Sequence, residues 1–215
     1  DGVIVWVGSE DELIGAVDVA DDGVVVDADG ACVLPGFVDA HTHAVFAGDR
    51  AHEYAARLGG VSYSEILAGG GGINATVRAT REAPLEELER LTRARLDTFL
   101  AHGTTTVEIK TGYGLSLEAE RKQLAAARVD HPVRRALTLM PAHFVPPEFA
   151  GRDDDYIAHV CDEILPALKG QIAVQDAIDG IASARTAALL DPEGAGLGKC
   201  LDELDARLSF RIAAE

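Results

Sequence analysis

A chain of 215 residues that is 47% hydrophobic can bury one ordinary core, and its formal net charge of −17 repels nucleic acid and anionic membrane surfaces, so neither is an expected partner. Its three cysteines, Cys32, Cys161 and Cys200, are odd in number and widely scattered. That argues against a disulfide framework or a cysteine zinc site, and each is expected to fill an apolar niche. No apolar stretch approaches a membrane span and no secretory leader opens the chain, so the cytoplasm is the default compartment. The first residue is Asp1 and a strand-like run follows at once, so a preceding segment is expected.

Residues 1–34 read as a small β segment, part of a sandwich. Val3-Ile4-Val5-Trp6-Val7, Val24-Val25-Val26 and Cys32-Val33-Leu34 are short apolar runs separated by turn signals at Asp21-Asp22-Gly23 and Asp29-Gly30. Pro35-Gly36 then punctuates the chain. Phe37-Val38-Asp39-Ala40-His41-Thr42-His43 reads as a strand with polar residues at its C-terminal end. Residues 47–83 read as a Gly-rich loop centred on Gly69-Gly70-Gly71-Gly72.

Pro84 suits the first turn of a helix whose apolar positions, from Leu85 to Leu100, recur at helical spacing. Gly103 ends it. The β-rich run 104–109 is the second strand, and Gly112-Tyr113-Gly114 is the loop after it. Ser116 caps a helix running to about Val129. Residues 136–140 form the third strand, Pro146-Pro147 mark a loop, and 153–165 form an amphipathic helix closed by Pro166. Asp153, Asp154 and Asp155 in its first turn suit the helix dipole. Residues 169–215 read as a tail of two Ala/Leu-rich helices.

From 35 to 168 the chain repeats strand, loop and helix, which predicts a parallel sheet. Polar residues gather at each strand's C-terminal end: His41 and His43, then Lys110 and Tyr113, then His143. The fold class is therefore α/β, a partial (β/α)8 TIM-like barrel preceded by the small β-sandwich segment, with the site at the C-terminal face.

His41-Thr42-His43 is the sharpest local signal. Residues i and i+2 of a strand share a face, so two imidazoles converge as metal ligands must. Lys110 reads as structural, and His52, His102, His131 and His159 as structural or solvated.

Leu34-Pro35-Gly36-Phe37-Val38-Asp39-Ala40-His41-Thr42-His43 resembles the first-strand signature of the amidohydrolase superfamily. The segments Ala44-Val45-Phe46-Ala47-Gly48-Asp49-Arg50, Gly60-Val61-Ser62-Tyr63, Lys110-Thr111-Gly112-Tyr113-Gly114-Leu115 and Ala142-His143 narrow the resemblance to the imidazolonepropionase family, over about residues 1–168. The resemblance implies hydrolysis of 4-imidazolone-5-propanoate to N-formimidoyl-L-glutamate, a small-molecule substrate of histidine degradation. It implies one metal ion, Zn2+ or Fe3+, with His41 and His43 as ligands. Arg50, Tyr113 and His143 are implied to bind substrate, and association as a homodimer is an expectation of the same kind.

After about Leu168 the family pattern stops. A third metal His within a His-Ala-Asp-Glu segment, a candidate general base there, a later His and a metal-binding Asp do not occur in this sequence. No catalytic acid or base is identified in the chain. Its barrel-like stretch holds about 130 residues against about 250 for a full barrel, so an excerpt or truncated product is expected. Two other readings stay open: a nucleobase deaminase of the same superfamily, and a catalytically incomplete fragment.

Overall fold

The computed structural model describes residues 4–168, apart from 14 and 19, together with Gln171. The helices expected within 169–215, Lys169 and Cys200 fall outside the described residues. The chain divides into two compact units, Asp1–Pro35 and Gly36–Glu215.

Among the described residues of the first unit the expected strands are not formed. Its described residues hold one short helix, α1 (Glu10–Leu13), and turns. The turns fall where Asp and Gly predicted them: Gly23 N–H donates to Ala20 O and Ala31 N–H to Ala28 O, both at 2.8 Å. Asp29 and Gly30 both adopt positive φ, as a type I′ turn requires. The runs of valine between the turns have no ladder partner. A strand is stable only beside another strand and over a second layer, and Val24, Val25 and Val33 are each more than 80% exposed here. Cys32 is exposed as well, so the apolar niche expected for it is absent, whereas Cys161 is buried.

The second unit is built on a three-stranded parallel sheet in the order β1 (Phe37–Thr42), β2 (Thr104–Lys110), β3 (Arg134–Thr138). Thr42 pairs with Ile109, and Lys110 with Thr138, so the C-terminal ends of all three strands lie side by side. Alternation along β2 separates two environments. Val107 and Ile109 pack with Leu88 and Leu96 of α5 (Leu85–Ala101) and with Ala126 of α6 (Leu117–Ala126). Glu108 and Lys110 point the other way and form an ion pair, and Thr138 Oγ1 donates to the same Glu108 carboxylate at 2.5 Å. The face turned away from the helices is therefore polar. Lys110 is buried in that pair, in keeping with a structural role.

The segment 47–83 is not a loop. It forms α2 (Ala51–Leu58), α3 (Tyr63–Ala68) and α4 (Ile73–Glu82). Ser62 and Glu65 make a reciprocal capping box that starts α3. Thr76, Val77 and Thr80 supply the buried stripe of α4. The glycines are the short breaks between these helices.

Two element boundaries also differ from expectation. The third strand lies two residues earlier than expected, so His143 sits beyond it in a 3-10 turn, Pro141–His143. Pro166 does not close the last helix. After α7 (Asp153–His159) the chain widens into a π-helical turn, Val160–Ile164, and continues as α8 (Leu165–Leu168) through Pro166. A widened turn shifts the backbone pairing ahead of a proline, which has no N–H to contribute. Cys161, Ile164 and Leu168 of this run pack with Leu124 and Tyr156 in a second apolar cluster.

Candidate active site

Three strand ends deliver the site. His41 is the fifth residue of β1, and His43 follows the strand directly. Their rings stand edge to face with centroids 5.7 Å apart. Tyr113, from the loop after β2, places its ring 5.1 Å from His43. His143, from the turn after β3, lies 5.0 Å from His43 and 5.9 Å from Tyr113. Phe46 completes the wall, 6.2 Å from Tyr113. Thus His41, His43, Tyr113 and His143, singled out by sequence, come together. Arg50 is an exposed residue just before α2. It lies within electrostatic reach of the Tyr113 hydroxyl and faces Glu53 at 3.9 Å.

Backbone geometry explains the approach of the loops. Gly112 adopts φ 117°, and a Cβ there would stand 2.9 Å from the Cβ of His143. Only glycine lets the Tyr113 loop run this close to the third strand end. Gly72 ends the glycine run at φ 61° and ψ −142° and donates its N–H to the buried Glu53 carboxylate at 2.8 Å. Glu53 thereby ties the glycine run to the helix that follows Arg50.

The electrostatics favour neutral imidazoles. Burial pushes His43 down to about 3, with His143 and His41 adding to the effect and a hydrogen bond with the Thr111 backbone opposing it. Burial, helped by His41, pushes His143 down to about 4. Burial raises the Tyr113 phenol, so it stays protonated at neutral pH, with Arg50 pulling the other way. Nδ1 of His43 is buried with no hydrogen-bond partner. An unpaired nitrogen on a neutral imidazole, beside a second imidazole, suits a cation such as Zn2+. Among the described residues no group of three or more His, Cys, Asp or Glu converges as a ligand set. The pair by itself falls short of the three protein ligands that a catalytic zinc site takes.

Several buried or half-buried polar residues around this cluster were not anticipated. Arg95 of α5 donates to the carbonyls of Ala44 and Phe46, each at 2.8 Å, and its guanidinium lies 3.5 Å over the Phe46 ring. Glu120 of α6 accepts the N–H groups of Gly114 and Leu115 at 3.0 and 2.7 Å. Gln123, one turn on, reaches both Tyr113 and Val45. Tyr156 of α7 donates to Pro141 O at 2.6 Å.

The chain is 53% identical over 174 residues to the imidazolonepropionase of Symbiobacterium thermophilum, which takes in 80% of this chain and 41% of that protein. Against the imidazolonepropionase of Pseudomonas putida strain F1 it is 52% identical over 181 residues, 83% of this chain and 44% of that protein. The Pseudomonas aeruginosa PAO1 protein of the same name is 49% identical over 183 residues. The chain is an imidazolonepropionase homologue. No family profile matches it. It spans less than half the length of the imidazolonepropionases it matches. Identity near one half with proteins named imidazolonepropionase favours likeness to that family over likeness to a nucleobase deaminase. Among the described residues no helix is long and apolar enough to cross a membrane.

Proposed function

We propose that this chain supplies the metal-facing and substrate-facing part of a site that hydrolyses the ring amide C–N bond of 4-imidazolone-5-propanoate to N-formimidoyl-L-glutamate. In this reading the sheet is the first three β-α units of a (β/α)8 barrel, and its polar face is the barrel interior. The observation that carries the reading is the convergence of His43, Tyr113 and His143 from three separate strand ends. That convergence suits the C-terminal face of such a barrel.

His41 and His43 would hold a Zn2+ or Fe3+ ion through neutral nitrogens, the form in which imidazole binds metal. When bound, such an ion supplies a hydroxide nucleophile near neutral pH and polarises a carbonyl. Arg50 would take the propanoate carboxylate through its planar guanidinium. Tyr113 keeps its phenolic proton and can donate to a ring oxygen or nitrogen. His143, also neutral, can donate or accept at the opposite ring edge. These residues bind and orient; none of them is assigned as the general base. The base and further metal ligands are assigned to the remainder that the longer relatives possess.

The test is calorimetric titration of the purified chain, assayed for zinc and iron by elemental analysis, with 4-imidazolone-5-propanoate, cytosine and guanine in turn. Saturable binding of the imidazolone, weakened at least tenfold in Arg50→Ala, supports the reading (loss of a charge-assisted pair of about 1.5–3 kcal/mol). Binding of a nucleobase instead, or no binding of the imidazolone, overturns it. Release of N-formimidoyl-L-glutamate by the chain would show in addition that it completes the site by itself.

A further inference from the structure

Gln123 lies on the inward side of α6 and is fully buried. Its Nε2 donates to Val45 O at 2.8 Å, and its Oε1 accepts the Tyr113 N–H at 3.3 Å. Val45 stands two residues beyond His43, and the Tyr113 ring stands against the His43 ring. One carboxamide therefore spans the loop leaving β1 and the loop leaving β2. A carboxamide carries one donor end and one acceptor end, and here a carbonyl and an N–H fix which end faces which loop. Two neighbouring attachments serve one loop each: Arg95 holds the carbonyls of Ala44 and Phe46, and Glu120 holds the N–H groups of Gly114 and Leu115. The buried Tyr156 hydroxyl lies instead between Leu115 O and Pro141 O, across the loop after β2 and the turn after β3.

We infer that Gln123 is a positioning residue, which sets the Tyr113 ring against His43 by locking the two loops to one another. The inference rests on reading this cluster as the active site, and it adds a specificity element outside the substrate-touching set. Burial in a low-dielectric interior strengthens both bonds and makes an unpaired Val45 carbonyl or Tyr113 N–H costly, so the two loops move together or not at all. A residue serving stability alone would lower the melting temperature on replacement without altering the surroundings of His43.

The two roles separate in the full 215-residue chain labelled with 13C-histidine, the His43 ring signal being assigned from its loss in His43→Gln. In Gln123→Met the His43 ring signal is expected to shift, because the Tyr113 ring current moves. Amide exchange is expected to quicken in segments 44–48 and 111–115 together. Leu88→Ala, a buried change in the helix-facing cluster, is expected to lower the melting temperature and leave His43 in place. Gln123→Glu keeps an acceptor for Tyr113 but sets an oxygen against Val45 O, so a smaller shift is expected, and it serves in place of Gln123→Met if that variant does not fold. A His43 signal that stays put in the folded variant overturns the inference. The wild-type chain gives an independent reading: Gln123 side-chain amide protons should exchange slowly and show cross-relaxation with Val45, and fast exchange overturns the inference as well. Neither measurement uses turnover or substrate binding. A chain that binds no imidazolone therefore removes the proposed function without deciding the Gln123 link.

Discussion

The imidazoles of His43 and His143 lie 5.0 Å apart although they leave different strands, and burial depresses the protonation of both. At neutral pH they stand uncharged, one beside the other, which two imidazolium ions could not do without strong repulsion. Their proposed roles differ, and substitution should separate them. His43→Ala is expected to remove zinc or iron uptake by the purified chain, read by elemental analysis after dialysis against the metal. His143→Ala is expected to leave uptake unchanged and to weaken imidazolone binding about tenfold, the worth of one hydrogen bond of about 1.4 kcal/mol. Equal loss of metal in both variants would reassign His143 as a ligand.

The glycine run makes a sharper claim about backbone than its composition suggests. Gly72 occupies φ 61° and ψ −142°, a region that residues with a Cβ avoid, and a Cβ there would lie 3.1 Å from the Tyr63 hydroxyl. Gly72→Ala is expected to destabilise the chain by about 1–3 kcal/mol. Gly70 also has positive φ but open space where its Cβ would stand, so Gly70→Ala should cost less. Urea denaturation of both variants checks the order, and a larger loss at Gly70 would contradict the geometry.

Sequence patterning made the sheet legible because β-α alternation is written in the period of the apolar residues. Val107 and Ile109 on β2, and Leu88 and Leu96 on α5, declare their faces without help. The His pair, Tyr113 and His143 were legible because strand ends are where such a fold places chemistry. The helices of 47–83 were missed because α2 and α3 are short and largely exposed, so they lack an apolar stripe long enough to register. Their one clear signal was the Ser62-to-Glu65 capping box. Residues 1–34 misled in the opposite way: valine-rich runs between Asp-Gly turns state β propensity, yet propensity without a pairing partner makes no ladder. Glu120 and Gln123 could not have been found from one sequence. Polar residues three apart on a helix ordinarily face water, and only the fold shows that these two face inward.

Glu120 gives a pH prediction. It is fully buried, and burial raises its carboxyl above the usual value of 4.5 despite hydrogen bonds from Thr111, Leu115, Gly114 and Gly112 that work to lower it. A carboxyl whose folded value is raised favours the native state below the unfolded value, and loses that contribution as pH rises through the folded value. The wild-type chain should therefore shed stability as pH climbs above about 4.5 through the raised value. Glu120→Gln cannot ionise, so its stability should be flatter over the same window. The measurement is urea denaturation of both proteins from pH 5 to pH 8. A gap between them that does not change with pH would mean that Glu120 ionises in the folded chain as easily as in the unfolded one.

Arg95, like Gln123, holds the segment after the His pair. Its guanidinium satisfies the carbonyls of Ala44 and Phe46 and covers the Phe46 ring. Arg95→Met fills much of the same volume but leaves both carbonyls without that donor and removes the cation–π contact. A buried acceptor left unpaired costs about 1–3 kcal/mol, so a loss of about 2 kcal/mol overall is expected. For a chain of this size that is a fall of about 4–8 °C in melting temperature. Arg95→Lys should recover only part, because one ammonium on a flexible stem cannot reach both carbonyls in the plane of a ring. Full recovery by lysine would show that charge alone holds the segment. Little or no loss in the methionine variant would show that the Ala44 and Phe46 carbonyls are satisfied by other means, and that the loop after His43 depends on Gln123 rather than on Arg95.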